Sequence, residues 1–208
     1  MNDPVKVLII DDHESLRDSF EREFCPENGF EVVGSFASAY LADAACQAKA
    51  PDIVILDVCT EGDFSGIKAA ASIVHRFPAM KIMVTSGFDD VTFIPRAKEA
   101  GAHAFVHKSS RLSRFREVAF RILAGEYIFP EPKTIPVPVG QTPFSDREME
   151  ILQLLCRQVS NQEIAEKLCI SVNTVRRHIE NMRLKEGFGS ASELIIHVIS
   201  KGYIKPHS

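Results

Sequence analysis

The sequence has no long apolar run. Nothing approaches the roughly 18 consecutive apolar residues of a membrane span, and the first apolar stretch is broken by Asp11. A cationic, apolar leader is missing as well, since the chain opens Met1-Asn2-Asp3-Pro4, so no secretory targeting is expected. The five cysteines (25, 46, 59, 156 and 169) are odd in number and scattered, with no CxxC or Cys/His ligand spacing. This argues against a disulfide framework or a thiolate metal site and points to reduced thiols in a cytosolic chain. The seven histidines do not cluster, and there are no repeats or low-complexity tracts. Bulk positive charge is also absent. Residues 1–124 carry a formal −4 and residues 143–208 only +1, so any nucleic-acid contact has to come from a local patch.

What is present is a chain of 208 residues, 45% apolar and 25% charged, enough for one large domain or two small ones with packed cores. Over residues 1–124, short apolar runs alternate with helical patterns. Strands are predicted near 5–10, 30–34, 52–57, 80–85 and 103–106, and helices near 14–24, 38–48, 66–76, 89–100 and 110–124. Such βα repeats imply an α/β fold, a parallel sheet covered on both faces. Pro130, Pro132, Pro136, Pro138 and Pro143 then fall in a stretch without helical period, which reads as a semi-stiff linker over 125–142. Beyond it, Ser145…Glu148, Ser160…Glu163 and Ser190…Glu193 have the spacing of capping boxes, and Ser171 suits an N-cap. Four helix starts predict a small all-α domain over 143–208.

The chemistry-bearing residues of the first domain stand at predicted strand ends. Val7-Leu8-Ile9-Ile10 runs into Asp11-Asp12, and Ile53-Val54-Ile55-Leu56 into Asp57. Strand carboxyl ends are where ligands gather in an open parallel sheet. Three carboxylates at one rim need a proton or a cation to coexist, and an all-oxygen cluster suits Mg²⁺. Two further strands deliver Thr85 and Lys108, a hydroxyl and an ammonium that can bind phosphoryl oxygens. A carboxylate can be the nucleophile that carries an acyl phosphate.

The order Ile9-Ile10-Asp11-Asp12, Leu56-Asp57, Thr85, Lys108 resembles the receiver domain of two-component response regulators. That resemblance implies a flavodoxin-like, doubly wound sheet of five strands. It implies Asp57 as phosphoacceptor and Asp11, Asp12, Asp57 and the backbone carbonyl of Cys59 around Mg²⁺. Thr85 would be the switch hydroxyl, Phe105 the coupled aromatic and Lys108 the phosphoryl-contacting lysine. Two departures stand out. A longer acidic loop, Thr60-Glu61-Gly62-Asp63-Phe64-Ser65-Gly66, replaces the usual Met-Pro segment. Pro95 also lies where the fourth helix should continue, and it is expected to shorten or kink that helix.

In the second domain, Ile164, Ala165 and Leu168 fit one buried helix face, and Val175, Ile179 and Met182 another after a short turn. Opposite the latter fall Asn173, Arg177, Glu180 and Leu184, with Arg176 on the flank. An apolar back and a guanidinium-bearing front suit a DNA major groove. Glu180 can accept from cytosine or pair with Arg176. The stretches Phe144-Ser145-Asp146-Arg147-Glu148, Ser160 to Ala165 and Ile170 to His178 resemble the LuxR-type (NarL/FixJ) helix-turn-helix. The resemblance implies base-facing roles for Arg176, Arg177 and Glu180, a phosphate contact for Lys185, and a dimerisation helix from Ser190 onward. Val159 stands where a glycine is common.

Together these readings describe a cytoplasmic, DNA-binding response regulator. Its partners would be a sensor histidine kinase and double-stranded DNA, with a homodimer as the active form and no membrane association. The acidic loop and Pro95 leave open a regulator that works without phosphate, its receiver serving for dimerisation or sensing. A phosphatase of the haloacid dehalogenase type would need a second acid two residues past Asp57, where Cys59 stands.

Overall fold

Four-residue runs with no polar atom in their side chains have no surface to face. Val7–Ile10 and Ile53–Leu56 are accordingly fully buried, each in a strand covered on both sides. The computed structural model describes residues 3–60, 64–87, 93–130, 143–201 and 203–204. The chain divides into two units, residues 1–136 and 137–208.

In the first unit, β1 (Val5–Ile10), α1 (Glu14–Glu23), β2 (Phe30–Phe36), α2 (Ala42–Lys49) and β3 (Ile53–Asp57) come first. A two-strand excursion follows, β4 (Cys59–Thr60) and β5 (Phe64–Ser65). Then come α3 (Gly66–Arg76), β6 (Lys81–Ser86), α4 (Phe93–Glu99), β7 (Ala104–His107) and α5 (Leu112–Leu123). Five parallel strands form one sheet in the order β2-β1-β3-β6-β7. The chain order reverses between β1 and β3, and in such sheets that crevice collects ligands. Val7, Ile9, Ile53, Ile55 and Met83 pack with Phe20 of α1 and Phe115, Val118 and Ile122 of α5. The rings of Phe20 and Phe115 meet edge-on at 4.9 Å. The alternate residues Leu8, Ile10, Val54, Leu56, Ile82 and Val84 are equally buried, as the period-2 geometry of a strand requires.

Three local features add to the sequence reading. The second helix is preceded by a 3₁₀ turn, Ala39–Leu41, with Ser38 as its N-cap. Pro95 is the third described residue of α4. The loop after Asp57 is structured at both ends, with Cys59 pairing with Ser65 and Thr60 with Phe64. Glu61 and Asp63 lie outside the described residues, as do Pro132, Pro136 and Pro138 of the proline-rich stretch. That stretch begins against the sheet: Ile128 bridges Ala104, and the Tyr127 ring stacks on His103 at 5.3 Å.

The second unit contains α6 (Asp146–Cys156), α7 (Asn161–Lys167), α8 (Val172–Lys185) and α9 (Ala191–Ser200). Ser145 with Glu148, and Ser160 with Glu163, form complete capping boxes. At Ser190 only half the box is made: its hydroxyl accepts from the Glu193 N–H, while the Glu193 carboxylate accepts from Gly189 N–H at 2.9 Å. Ser171 caps α8. The residue with left-handed backbone before α7 is Gln158 (φ 58°), not Val159. Cys169, in the turn between α7 and α8, is left-handed too (φ 52°). Ile164, Ala165, Leu168, Val175 and Met182 are buried together with Leu194 and Val198.

Candidate functional sites at a sheet rim and on a helix face

The carboxyl rim is built by ladder hydrogen bonds that run one residue past each strand. Asp11 N–H donates to the Phe36 carbonyl (3.0 Å), Val58 N–H to Thr85 (2.9 Å) and Lys108 N–H to Ser86 (2.8 Å). Ile10 pairs with Leu56, and Asp57 with Thr85. Four strands thereby deliver Asp11, Asp57, Thr85 and Lys108 to one place. Gly66 closes the loop beneath them: its N–H donates to the Val58 carbonyl at 2.8 Å. A Cβ there would fall 1.8 Å from the Asp57 carbonyl oxygen, so no other residue fits this approach.

The Lys108 ammonium lies 2.8 Å from a carboxylate oxygen of Asp57 and 2.8 Å from one of Asp11. Burial alone would push this ammonium down, but Asp57 and Asp11 outweigh it and hold it above the ordinary lysine range. Asp11, Asp12, His13 and Asp57 each offer a ligand atom, all within 4.8 Å of one another. His13 is the member that sequence reading passed over, although it directly follows the acid pair. Its Nδ1 stands 2.7 Å from Asp12 and 3.3 Å from Asp11. Hydrogen bonds to Asp11 and then Asp12 push the imidazole up to about 10, against its burial. Three carboxylates thus face two cations, an excess of negative charge. That donor set fits a hard divalent ion. The Thr85 hydroxyl is fully buried and makes no hydrogen bond among the described residues. Phe105 is buried in β7, and its N–H donates to the Ile128 carbonyl at 2.9 Å. Cys59 opens β4, two residues past Asp57.

In the helical unit, Asn173, Arg176, Arg177, Glu180 and Lys185 are exposed along α8, opposite buried Val175 and Met182. Neither Arg176 nor Arg177 is committed to an ion pair among the described residues. Glu180 is paired, but with Arg183 at 2.6 Å rather than with Arg176. The Lys185 ammonium donates to the carbonyl of Pro143.

The "Response regulator receiver domain" model matches residues 7–120, and the "Bacterial regulatory proteins, luxR family" model matches residues 142–198. The chain belongs to the LuxR-type response regulators. The response regulator protein VraR of Staphylococcus aureus (strain Mu3 / ATCC 700698) is 28% identical to it over 209 residues, covering 97% of this chain and 99% of VraR. A LuxR-family two-component response regulator from Aurantimonas sp. SI85-9A1 is 30% identical with TM-score 0.56, over 60% of this chain and 89% of that one. Salmonella typhimurium RcsB shares the fold across both units at 20% identity and TM-score 0.59, over 96% of this chain and 100% of RcsB. The protein is therefore a DNA-binding transcription regulator, of a class that is not enzymatic. No helix among the described residues is long and apolar enough to cross a membrane.

Proposed function

We propose that this response regulator takes a phosphoryl group onto Asp57 from a sensor histidine kinase, and that the modification controls homodimerisation and binding to double-stranded DNA. The observation that carries the reading is the Lys108 ammonium held 2.8 Å from both Asp57 and Asp11. In the reaction an Asp57 oxygen attacks phosphorus as the bond to the donor breaks, leaving an acyl phosphate. Lys108 then turns from a carboxylate counterion into a clamp on the phosphoryl oxygens, and the buried Thr85 hydroxyl gains an acceptor. Asp11, Asp12, Asp57 and the Cys59 carbonyl would hold Mg²⁺, which supplies charge neutralisation during transfer.

Phe105 is the coupled aromatic in this reading. It is buried, and its backbone is tied to Ile128 where the linker begins, so a change at the rim has a covalent and hydrogen-bonded route toward the second domain. We take the domain limits as 1–124, 125–142 and 143–208, in line with family matches that end at 120 and resume at 142. On α8, Asn173, Arg176, Arg177 and Glu180 would face bases and Lys185 a phosphate, after exchanging the Pro143 carbonyl for DNA. A cytoplasmic location follows from partners that are a kinase and DNA.

The test is phosphodonor treatment with Mg²⁺. Wild type should gain a label, and with it DNA affinity and dimer mass, while Asp57→Asn should gain none of the three. Equal labelling of both proteins would remove Asp57 from the reaction.

A further inference from the structure

We infer that Arg183 is a specificity-determining residue of the DNA-reading helix, because it fixes the Glu180 carboxylate in the orientation in which that carboxylate meets a base. The inference rests on the reading of α8 as the DNA-facing helix. It begins from a two-pronged contact: Arg183 Nε donates to Glu180 Oε2 at 3.1 Å, and Nη2 to Oε1 at 2.6 Å. The remaining guanidinium nitrogen is also engaged, with Nη1 donating to the carbonyls of Phe188 and Gly189 at 2.9 Å each. Arg183 is therefore anchored on the turn that follows α8 and reaches back one helical turn to grip the glutamate. Its side chain is 23% exposed and that of Glu180 53%, so the arginine is the inner member and the carboxylate the outer one.

Three consequences follow for recognition. A solvated glutamate samples several rotamers, and a forked guanidinium removes that freedom. Each carboxylate oxygen keeps lone pairs, so the paired group can still accept from the amino group of cytosine. Its charge is also offset at a surface that has to approach phosphates. The fork further decides a competition. Arg176 lies four residues before Glu180, within reach of an i,i+4 pair, yet the carboxylate is held by Arg183 and Arg176 stays available. Without the fork, Glu180 would draw Arg176 away from DNA.

The experiment is selection of a randomised duplex library by the full-length protein, followed by titration of selected duplexes at fixed salt. It compares wild type, Glu180→Gln, Arg183→Lys, Arg183→Gln and the double variant Glu180→Gln/Arg183→Gln, with a thermal melt of each. Glu180→Gln is expected to lower discrimination at one base pair by roughly tenfold. Arg183→Lys, which keeps the charge but cannot form the fork, should lose discrimination at that same base pair. Arg183→Gln should do so too, and the double variant should lose no more discrimination at that base pair than Glu180→Gln does alone. An Arg183 that only staples the turn would lower melting temperature and affinity by one factor for every duplex, leaving their ranking intact. That result overturns the inference while Glu180→Gln still changes the ranking. If Glu180→Gln leaves the ranking unchanged, the base-facing reading of Glu180 fails first.

Discussion

In the receiver, the buried charges Asp11, Asp57 and Lys108 meet within 2.8 Å at the sheet rim, where the proposed chemistry takes place. In the helical half the arrangement is inverted. Its buried charges include Asp146 and the pair Arg147 and Glu150, 2.9 Å apart within α6 with about 5% of each side chain exposed, while the residues proposed to touch DNA stand in solvent. A phosphoryl acceptor needs a dry, preorganised pocket in which charges act strongly. A DNA reader needs cations that phosphates can reach. Burial of charge therefore marks the site in one half and the scaffold in the other.

The contrast can be broken in several places. The largest effect is expected at Lys108. Replacing it by Met removes the ammonium shared by the buried carboxylates of Asp57 and Asp11, and urea denaturation in metal-free buffer should show a loss of about 3–5 kcal/mol, partly restored by Mg²⁺. A loss under about 1 kcal/mol would mean that the rim is not under charge stress. Glu150→Ala should remove about 3 kcal/mol from the helical half by taking away the carboxylate that stands 2.9 Å from the buried Arg147 guanidinium. Arg147→Met combined with Glu150→Leu should instead stay within about 1–2 kcal/mol of wild type and keep DNA binding. A double apolar swap that abolished DNA binding would erase the distinction between scaffold and site. Cys169→Gly, relieving a left-handed non-glycine residue, should stabilise the helix-turn-helix by about 1 kcal/mol.

The mildest test concerns His103, a buried titratable group at the opposite end of the sheet from Asp57. Burial, and then the charge of Lys81, hold its imidazole below the ordinary value of 6.5. The unfolded chain thus takes up the proton first. The stability His103 contributes is complete above about pH 6.5 and is lost as the pH falls through the interval down to its folded-state value. Denaturation midpoints should drop across that interval, and His103→Gln should flatten the slope.

Much of this was legible because the decisive signals are local. A strand with no polar side chain reports its own burial, so the acids after Ile10 and Leu56 could be assigned to a rim before any pairing was known. Capping boxes at Ser145 and Ser160 are likewise written within four residues. The partnerships that reading missed depend on choices between neighbours at comparable distances in sequence. Glu180 could take Arg176 or Arg183, and the anchoring carbonyls of Phe188 and Gly189 decide for the latter. Glu193 could turn to Ser190 or to Gly189. His13 lacked a sequence signal beyond adjacency: Asp11 and then Asp12, which raise its affinity for protons, are its immediate neighbours, and only the fold brings it beside Asp57. The β4–β5 hairpin is held by Thr60, whose hydroxyl accepts from Ala39 N–H at 2.8 Å and donates to the Phe64 carbonyl at 2.9 Å, a contact 21 residues long.

The bridge between Ile128 and Ala104 has a consequence for how this protein tolerates company. β7 is the last strand of its sheet, and such an edge offers open peptide groups to any passing extended chain. Here the His103 carbonyl and the Phe105 N–H are both occupied by Ile128, at 2.9 Å each. The start of the linker thus acts as a selvedge, finishing the fabric so that it does not bind to its neighbours. A receiver trimmed at Ala124 would lose that hem and expose a sticky border, so the fragment to express for solution work is one that runs past Phe129.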